Sequence, residues 1–210
     1  MKEDIRITKT KRDLRQALYQ LITKQRFEKI TVGQICATAM VNRLTFYKHY
    51  ADKYELLNDT VLEIRDSIVA RAVDSRTPNV TTMNATDFIL HLADIVIDEC
   101  EQRKKFLQAI NNNDMVAAMI GNTIAESVTQ LLMQLGQKHP FRYPVDMLAV
   151  AITGAATYLI KYWLFQETGI TKEVFLSQTN KFITDLFASG LLMQNWPRFT
   201  FLFHYLIVGR

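Results

Sequence analysis

Apolar residues recur every three to four positions along nearly the whole chain, and no stretch alternates apolar and polar residues with a period of two. The pattern predicts an all-α protein. Near the start, Leu14, Ala17, Leu18, Leu21 and Ile22 mark one face of a support helix, with Thr10 and Asp13 spaced to cap it and Met1 to Lys9 left as a basic arm. Phe27 and Ile30 fall in the next connection and are expected to plug a small core. Thr31 followed by Gln34 has the spacing of a capping box, opening a short helix whose apolar face is Val32, Ile35, Cys36 and Ala39. Asn42 is placed to cap another helix. Its inner face would be Leu44 or Val41 with Phe46 and Tyr50, leaving Arg43, Thr45, Tyr47, Lys48 and His49 outward. Asp52 with Glu55 repeats the capping spacing and starts a long helix through Leu56, Leu57, Val61, Leu62, Ile64, Ile68 and Val69, unbroken until Ser75, Thr77 and Pro78.

The remainder reads as helices throughout. Residues 86–101 carry Phe88, Leu92, Ile95, Val96 and Ile97, and residues 104–110 form a short helix ended by three asparagines. Asp114 opens a segment stopped at Gly136, and Pro144 sits at the first turn of a very apolar helix through Gln166. Thr171 caps a last clear helix to Gly190. The 145–166 helix is apolar nearly all round, with Ala149, Ala151, Gly154, Ala155 and Ala156 allowing close approach, so it must be covered on more than one side. The 172–188 helix supplies one partner. A second copy of both would complete a four-helix homodimer interface; the competing reading is a wholly intramolecular core. The tail 191–210 fits neither plan, since its apolar run after Pro197 is too short to span a bilayer. Three readings stand for it: an added helix or strand on the body, a membrane-touching tail, or altered coding sequence.

Composition narrows the function classes. In 210 residues, 49% hydrophobic, there is ample apolar surface for a buried core, which excludes a disordered chain. No run of about eighteen uninterrupted apolar residues occurs and the first residues lack a signal-peptide core, so a cytoplasmic protein is expected. Cys36 and Cys100 lie in helical contexts without metal or redox spacing and read as reduced core thiols. Net charge is informative once divided: residues 1–53 hold 12 Lys and Arg against 5 Asp and Glu, and the rest hold 13 against 16. A basic head on a mildly acidic body suits phosphate attraction at one end, as it would also suit a membrane surface. There is no phosphate loop, nucleophile elbow or metal-spaced histidine pair, so no enzyme, cofactor or metal is expected. His91 with Asp94 or Asp98 is the one candidate metal group, set against an ordinary polar helix face.

Thus residues 31–53 hold two short capped helices joined by a tight turn, the second cationic and aromatic. A helix-turn-helix needs this: the first helix fixes the second, which projects side chains into the major groove. Three small core helices without DNA affinity are the alternative. The residues Ile30, Thr31-Val32, Ile35, Ala39, Val41, Asn42-Arg43, Thr45-Phe46-Tyr47, His49-Tyr50, Asp52-Lys53 and Leu56-Leu57 resemble the amino-terminal domain of TetR-family transcription regulators, in particular a Gram-positive branch. Met40, where many members carry glycine, and Leu44, where they carry a small residue, depart from the pattern.

The resemblance implies a helix-turn-helix DNA-binding domain at 1–60 sharing a connector helix 53–74, a helical effector-binding and dimerisation body at 75–190, and no membrane partner. It implies a regulator, a repressor by default, bound as a homodimer through helices 145–166 and 172–188 to a near-palindromic double-stranded operator. Carried over by position, Arg43, Leu44, Thr45 and Tyr47 face bases or nearby phosphates, with Asn42 capping their helix, and Thr31, Lys48, His49 and Lys53 face the backbone. Phe88, Leu92, Phe106, Met119, Tyr158 and Trp163 are candidates either for an effector pocket or for plain core. Two other readings remain: control by a protein partner such as a kinase-like co-regulator, and a helical ligand- or lipid-binding protein without DNA affinity.

Overall fold

A computed structural model describes residues 5–74, 85–111, 114–136, 141–166 and 169–189. Among these residues every regular element is helical, as the hydrophobic period predicts. They divide into two compact units. The first is Met1–Arg65 with Arg103–Ile120, and the second is Asp66–Gln102 with Gly121–Arg210. The tail 191–210 lies outside the described residues.

The first unit is built around α1 (Ile5–Ile22), which turns Leu14, Ala17, Leu18 and Ile22 inward. Helix α1 begins earlier than the apolar spacing suggests. Residues 5–9 are helical rather than an arm, and the Thr10 hydroxyl donates back to the Arg6 carbonyl at 2.8 Å instead of capping a start. A threonine satisfied this way sits comfortably inside a helix, which is why its presence was a poor start signal. A 3-10 turn at Phe27–Lys29 delivers Phe27 and Ile30 to the core, both fully buried. Helix α2 (Val32–Ala39) adds Ile35 and Cys36, α3 (Arg43–Tyr47) adds Phe46, and α4 (Lys53–Ala72) adds Leu56 and Leu57. At about 1.5–3 kcal/mol for each fully buried large apolar side chain, this cluster is what holds the short α2 and α3 in place.

One short helix is placed where the periodicity did not lead. Helix α6 (Lys104–Asn111) belongs to the first unit rather than to the body, with Phe106 and Ile110 buried in the same core and the Phe106 ring stacked on Tyr19, centroids 5.0 Å apart. Its apolar face was visible in the sequence; the partner of an eight-residue helix is a tertiary matter that spacing does not encode.

The second unit contains α5 (Ala85–Gln102), α8 (Val145–Phe165) and α9 (Lys172–Ala188), with parts of α4 and α7 (Asp114–Gly136). Ile68 and Ala72 of α4 pack with Phe88, Leu92 and Ile95 of α5. Polar ties run beside them: Arg71 pairs with Glu99 and with Asp98, and Lys172 at the start of α9 pairs with Asp98 and Glu101. Asp98 is thereby committed to cations, and among the described residues no group of three or more metal-type ligands occurs. Trp163 stacks on Phe175 at 4.8 Å and donates from Nε1 to the Ile170 carbonyl. Pro144 stands at the N-cap of α8, one place before the first turn in which it was expected. Cys100 is half-buried, and the desolvation pushes its thiol up to about 11.

Within the first unit, Asp59 Oδ2 accepts from both Arg15 Nη1 (2.9 Å) and the Tyr50 hydroxyl (2.6 Å), tying α1, the stretch after α3 and α4 together. Burial first, and the bond to Asp59 second, raise the Tyr50 phenol above its ordinary value. A folded value above the unfolded one means that this contribution is intact below about pH 10 and fades as pH climbs through the folded value. Asp59→Ala should therefore lower unfolding free energy at pH 7 by about 2 kcal/mol, because it strands a guanidinium and a hydroxyl. Urea titrations at pH 7 and 10.5 check both statements, and the mutant should lose part of the wild type's decline at the higher pH.

Candidate nucleic-acid interface

The reading surface is assembled by three consecutive caps. Thr31 Oγ1 accepts from the Gln34 amide at 3.2 Å while Gln34 Oε1 accepts from the Thr31 amide at 2.9 Å, completing the capping box. Asn42 Oδ1 accepts from the Leu44 amide at 2.8 Å and starts α3. Asp52 Oδ1 accepts from the Tyr54 and Glu55 amides at 2.8 and 2.9 Å, and Glu55 Oε2 reaches back to the Ala51 amide. Helices of eight and five residues are too short to persist alone, so caps and core contacts must hold them.

Between α2 and α3 the chain turns through Met40, whose φ of 53° and ψ of 38° put it in the left-handed region. That conformation suits glycine and costs a residue with a β-carbon about 1 kcal/mol. The methionine side chain is 95% exposed, so no packing offsets the strain. The turn nevertheless aims α3 outward. Phe46 is fully buried and Val41 packs against the core, while Leu44 is 69% and Tyr47 57% exposed. Of the two inner-face candidates, Val41 therefore takes the role and Leu44 faces out. Tyr47 stands edge-on to Phe46 at 5.4 Å, which fixes the ring's direction. Thr31, Asn42, Arg43 and Lys48 are exposed, and Thr45 and His49 are half-buried.

Lys53 is placed differently from its neighbours. Its ammonium donates to the carbonyls of Phe27 (3.0 Å), Glu28 (3.0 Å) and Ile30 (2.9 Å) and sits 4.7 Å from the centre of the Phe27 ring. Three donors meet three acceptors, so the group clasps the turn before α2, and burial lowers its pKa. No periodicity argument finds this, because the acceptors are backbone carbonyls more than twenty residues away.

Two further features arise only from the packing of α1, α2 and α3. An open groove of about 580 Å³ runs between α1 and the end of α2, with Arg6 and Lys9 on one side and Thr38 and Met40 on the other. Gly33 in α2 also lies directly beneath the Arg43 guanidinium. The candidate effector residues fall into separate clusters: Phe88 and Leu92 pack with Ile95, Phe106 and Met119 belong to the first unit's core, Trp163 stacks on Phe175, and Tyr158 is 75% exposed. Helical spacing marks apolar faces without naming what each face meets.

No family model matches the chain. The chain is 31% identical over 77 residues to the uncharacterised helix-turn-helix-type transcriptional regulator YxbF of Bacillus subtilis, a match covering 36% of this chain and about one fifth of that protein. Solved structures cover far more. A protein of Syntrophomonas wolfei assigned to the TetR family of transcriptional regulators superposes with a TM-score of 0.67 over 90% of this chain and 99% of its own, at 16% identity. The Thermus thermophilus TetR-family repressor FadR, solved with lauroyl-CoA, gives 0.60 over 89% and 97% at 16% identity. The dihydroxyacetone kinase operon activator DhaS gives 0.53 over 87% and 96% at 14% identity. The chain therefore has the all-α fold of TetR-family regulators, a helix-turn-helix head with a helical body.

Two substitutions test the local energetics. Met40→Gly should stabilise the first unit by about 1 kcal/mol, since it relieves the left-handed strain and removes no packing. Lys53→Met keeps much of the side chain's bulk but removes the ammonium that the Phe27, Glu28 and Ile30 carbonyls share, and should destabilise by about 2 kcal/mol. Chemical denaturation of the full chain measures both.

Proposed function

We propose that this chain is a cytoplasmic, homodimeric, DNA-binding transcriptional regulator. In this reading it represses by occupying a near-palindromic operator and is released when an effector binds in the second unit. The observation that carries the reading is the outward face of α3: Arg43, Leu44 and Tyr47 stand exposed on a helix whose opposite side, Phe46, is fully buried. Side chains of this kind suit base edges and phosphates in a major groove. Arg43 supplies a fork of donors for guanine or phosphate, Leu44 an apolar contact for a thymine methyl, and Thr45 and Tyr47 hydroxyls for either base edges or backbone. Thr31, Lys48 and His49 would engage phosphates, with Arg6 and Lys9 flanking them along the groove beside α1. Lys53 acts from within, by holding the turn before α2 to the start of α4, rather than as a phosphate ligand.

Dimerisation is supported by α8 and α9. Met147, Val150, Tyr158, Leu159 and Tyr162 of α8 and Val174 and Phe182 of α9 are exposed in the single chain, too much apolar surface to leave in water. A two-fold dimer presents two copies of α3, and hence calls for a near-palindromic site. The lauroyl-CoA held by the Thermus thermophilus protein supports a small-molecule effector. The likeness to the dihydroxyacetone kinase operon activator DhaS supports activation in place of repression, the second reading, in which control would fall to a protein partner instead of a small molecule.

Selection of bound fragments from genomic DNA gives the operator and the regulated neighbours. On that operator, Arg43→Ala and Tyr47→Ala should each cost about 1–3 kcal/mol of affinity, tenfold or more, with the dimer intact by sedimentation. Lys48→Ala should weaken all sequences alike and reduce the slope of log affinity against log salt by about 1. Unchanged binding by the first two variants would remove α3 from the interface. Wild-type binding with no salt dependence, or none at low salt, would favour a helical ligand-binding protein without DNA affinity. A thermal-shift series with acyl-CoA compounds separates the two modes of control, since a rise in Tm is expected only with a small-molecule site.

A further inference from the structure

Helix α2 carries a glycine at its second position, where nothing about the backbone demands one: Gly33 has ordinary helical geometry, and the only left-handed residue nearby is Met40. Glycine in a helix is unfavourable relative to alanine, so its presence at Gly33 needs a reason outside α2's own backbone. The reason lies across the turn. A β-carbon built on Gly33 would fall 2.3 Å from Arg43 Nη2, 3.1 Å from Cζ and 3.4 Å from Nε. The guanidinium, the first charged group of α3, thus reaches the bare backbone of α2 with Nη2 foremost. Helix electrostatics do not put it there, because the first turn of a helix is its positive end and repels a cation. What admits the group is the room left by the missing side chain. Independent of that contact, Arg43 is close enough to Cys36, one turn further along α2, for its charge to oppose the rise that burial gives the thiol.

We propose that Gly33 is a positioning residue for DNA recognition: it forms the slot that holds the Arg43 guanidinium against α2 and so sets the direction from which α3's leading cation meets the DNA. The inference rests on the DNA-binding reading above and adds to it a residue that touches no base. An arginine with free rotamers must be ordered when DNA arrives, whereas one held in a slot is ordered beforehand, so less affinity is lost on binding. Because the clash is with the far end of a flexible side chain, adding a methyl group at Gly33 leaves the fold intact and displaces only the guanidinium.

The test is Gly33→Ala in the full chain, alone and combined with Arg43→Ala, on the selected operator. Gly33→Ala should keep or raise Tm while weakening operator binding five- to tenfold, and it should have no further effect when Arg43 is already alanine. A DNA-free readout accompanies it: the Arg43 Nε–H resonance, assigned by its loss in Arg43→Lys, should move toward the position of an unrestrained arginine in Gly33→Ala. Wild-type affinity in Gly33→Ala, or an equal loss in the Arg43→Ala background, overturns the slot. A wild-type chain that binds no DNA sinks the DNA-binding reading instead, and an Arg43 resonance that still moves in Gly33→Ala shows that the slot itself was correctly placed.

Discussion

The Lys53 ammonium is the contact on which the head depends. The turn at Phe27–Lys29 ends with carbonyls at Phe27, Glu28 and Ile30 that all point at one spot, and a single cation fills it. Carbonyls short of donors are costly; the Phe27 carbonyl also accepts from the Ile30 amide at 3.1 Å, and the ammonium adds one donor group shared by all three converging oxygens. Lys53 is also the first residue of α4, so the same atom that closes the connection before α2 anchors the helix after α3. The two short reading helices are bracketed between those points. Asp59 repeats the device one and a half turns later by joining Arg15 of α1 to Tyr50. Charge here is spent inside the head on geometry, which leaves Arg43 and Lys48 as the exposed cations of the reading segment.

Much of this was readable in advance because caps are local chemistry. Thr31 with Gln34, Asn42 with Leu44 and Asp52 with Glu55 each act over two to four residues, and a pattern of that length survives without knowledge of the fold. What was not readable acts at long range or through absence. Lys53 looked like one more exposed cation of a basic segment, since its partners are backbone atoms of another element. Phe106 looked like body because its helix follows α5 in the chain, yet its ring stacks on Tyr19 and its helix completes the head's core. Gly33 could be noticed only as an unremarkable glycine, because the thing it makes room for comes from another helix.

Met40 and Leu44, the two departures from the usual motif, turn out to be physically unlike. Met40 bears strain: a side chain at a left-handed position, wholly outside the core. Residues kept in such a conformation tend to serve something other than stability, and this one stands at the rim of the groove beside Arg6 and Lys9. Leu44 carries no strain at all. It is an ordinary helical residue with an apolar side chain in water on the face that would meet DNA. Burying that side chain against a base methyl would add apolar contact at this position of the proposed interface.

Helix α8 presents the same question on a larger scale. By length and composition Val145–Phe165 is apolar enough to cross a membrane, and little of it is covered in the single chain. Its composition argues for another destination. Ala151, Gly154, Ala155 and Ala156 lie exposed along it, and small residues in a row are what let two helix backbones approach closely. Lys161 stands over the Tyr158 ring at 5.8 Å on the same helix, and Asp146 sits in its first turn, so charge is present at both ends of the apolar stretch. On α9, Val174 and Phe182 are exposed among polar neighbours, which a lipid environment would not favour but a second protein surface accommodates. An interface made from one helix with small residues and another with isolated large ones is self-complementary under two-fold symmetry, since each can fill the other's relief. The proposed dimer thus rests on matching relief as well as on apolar surface.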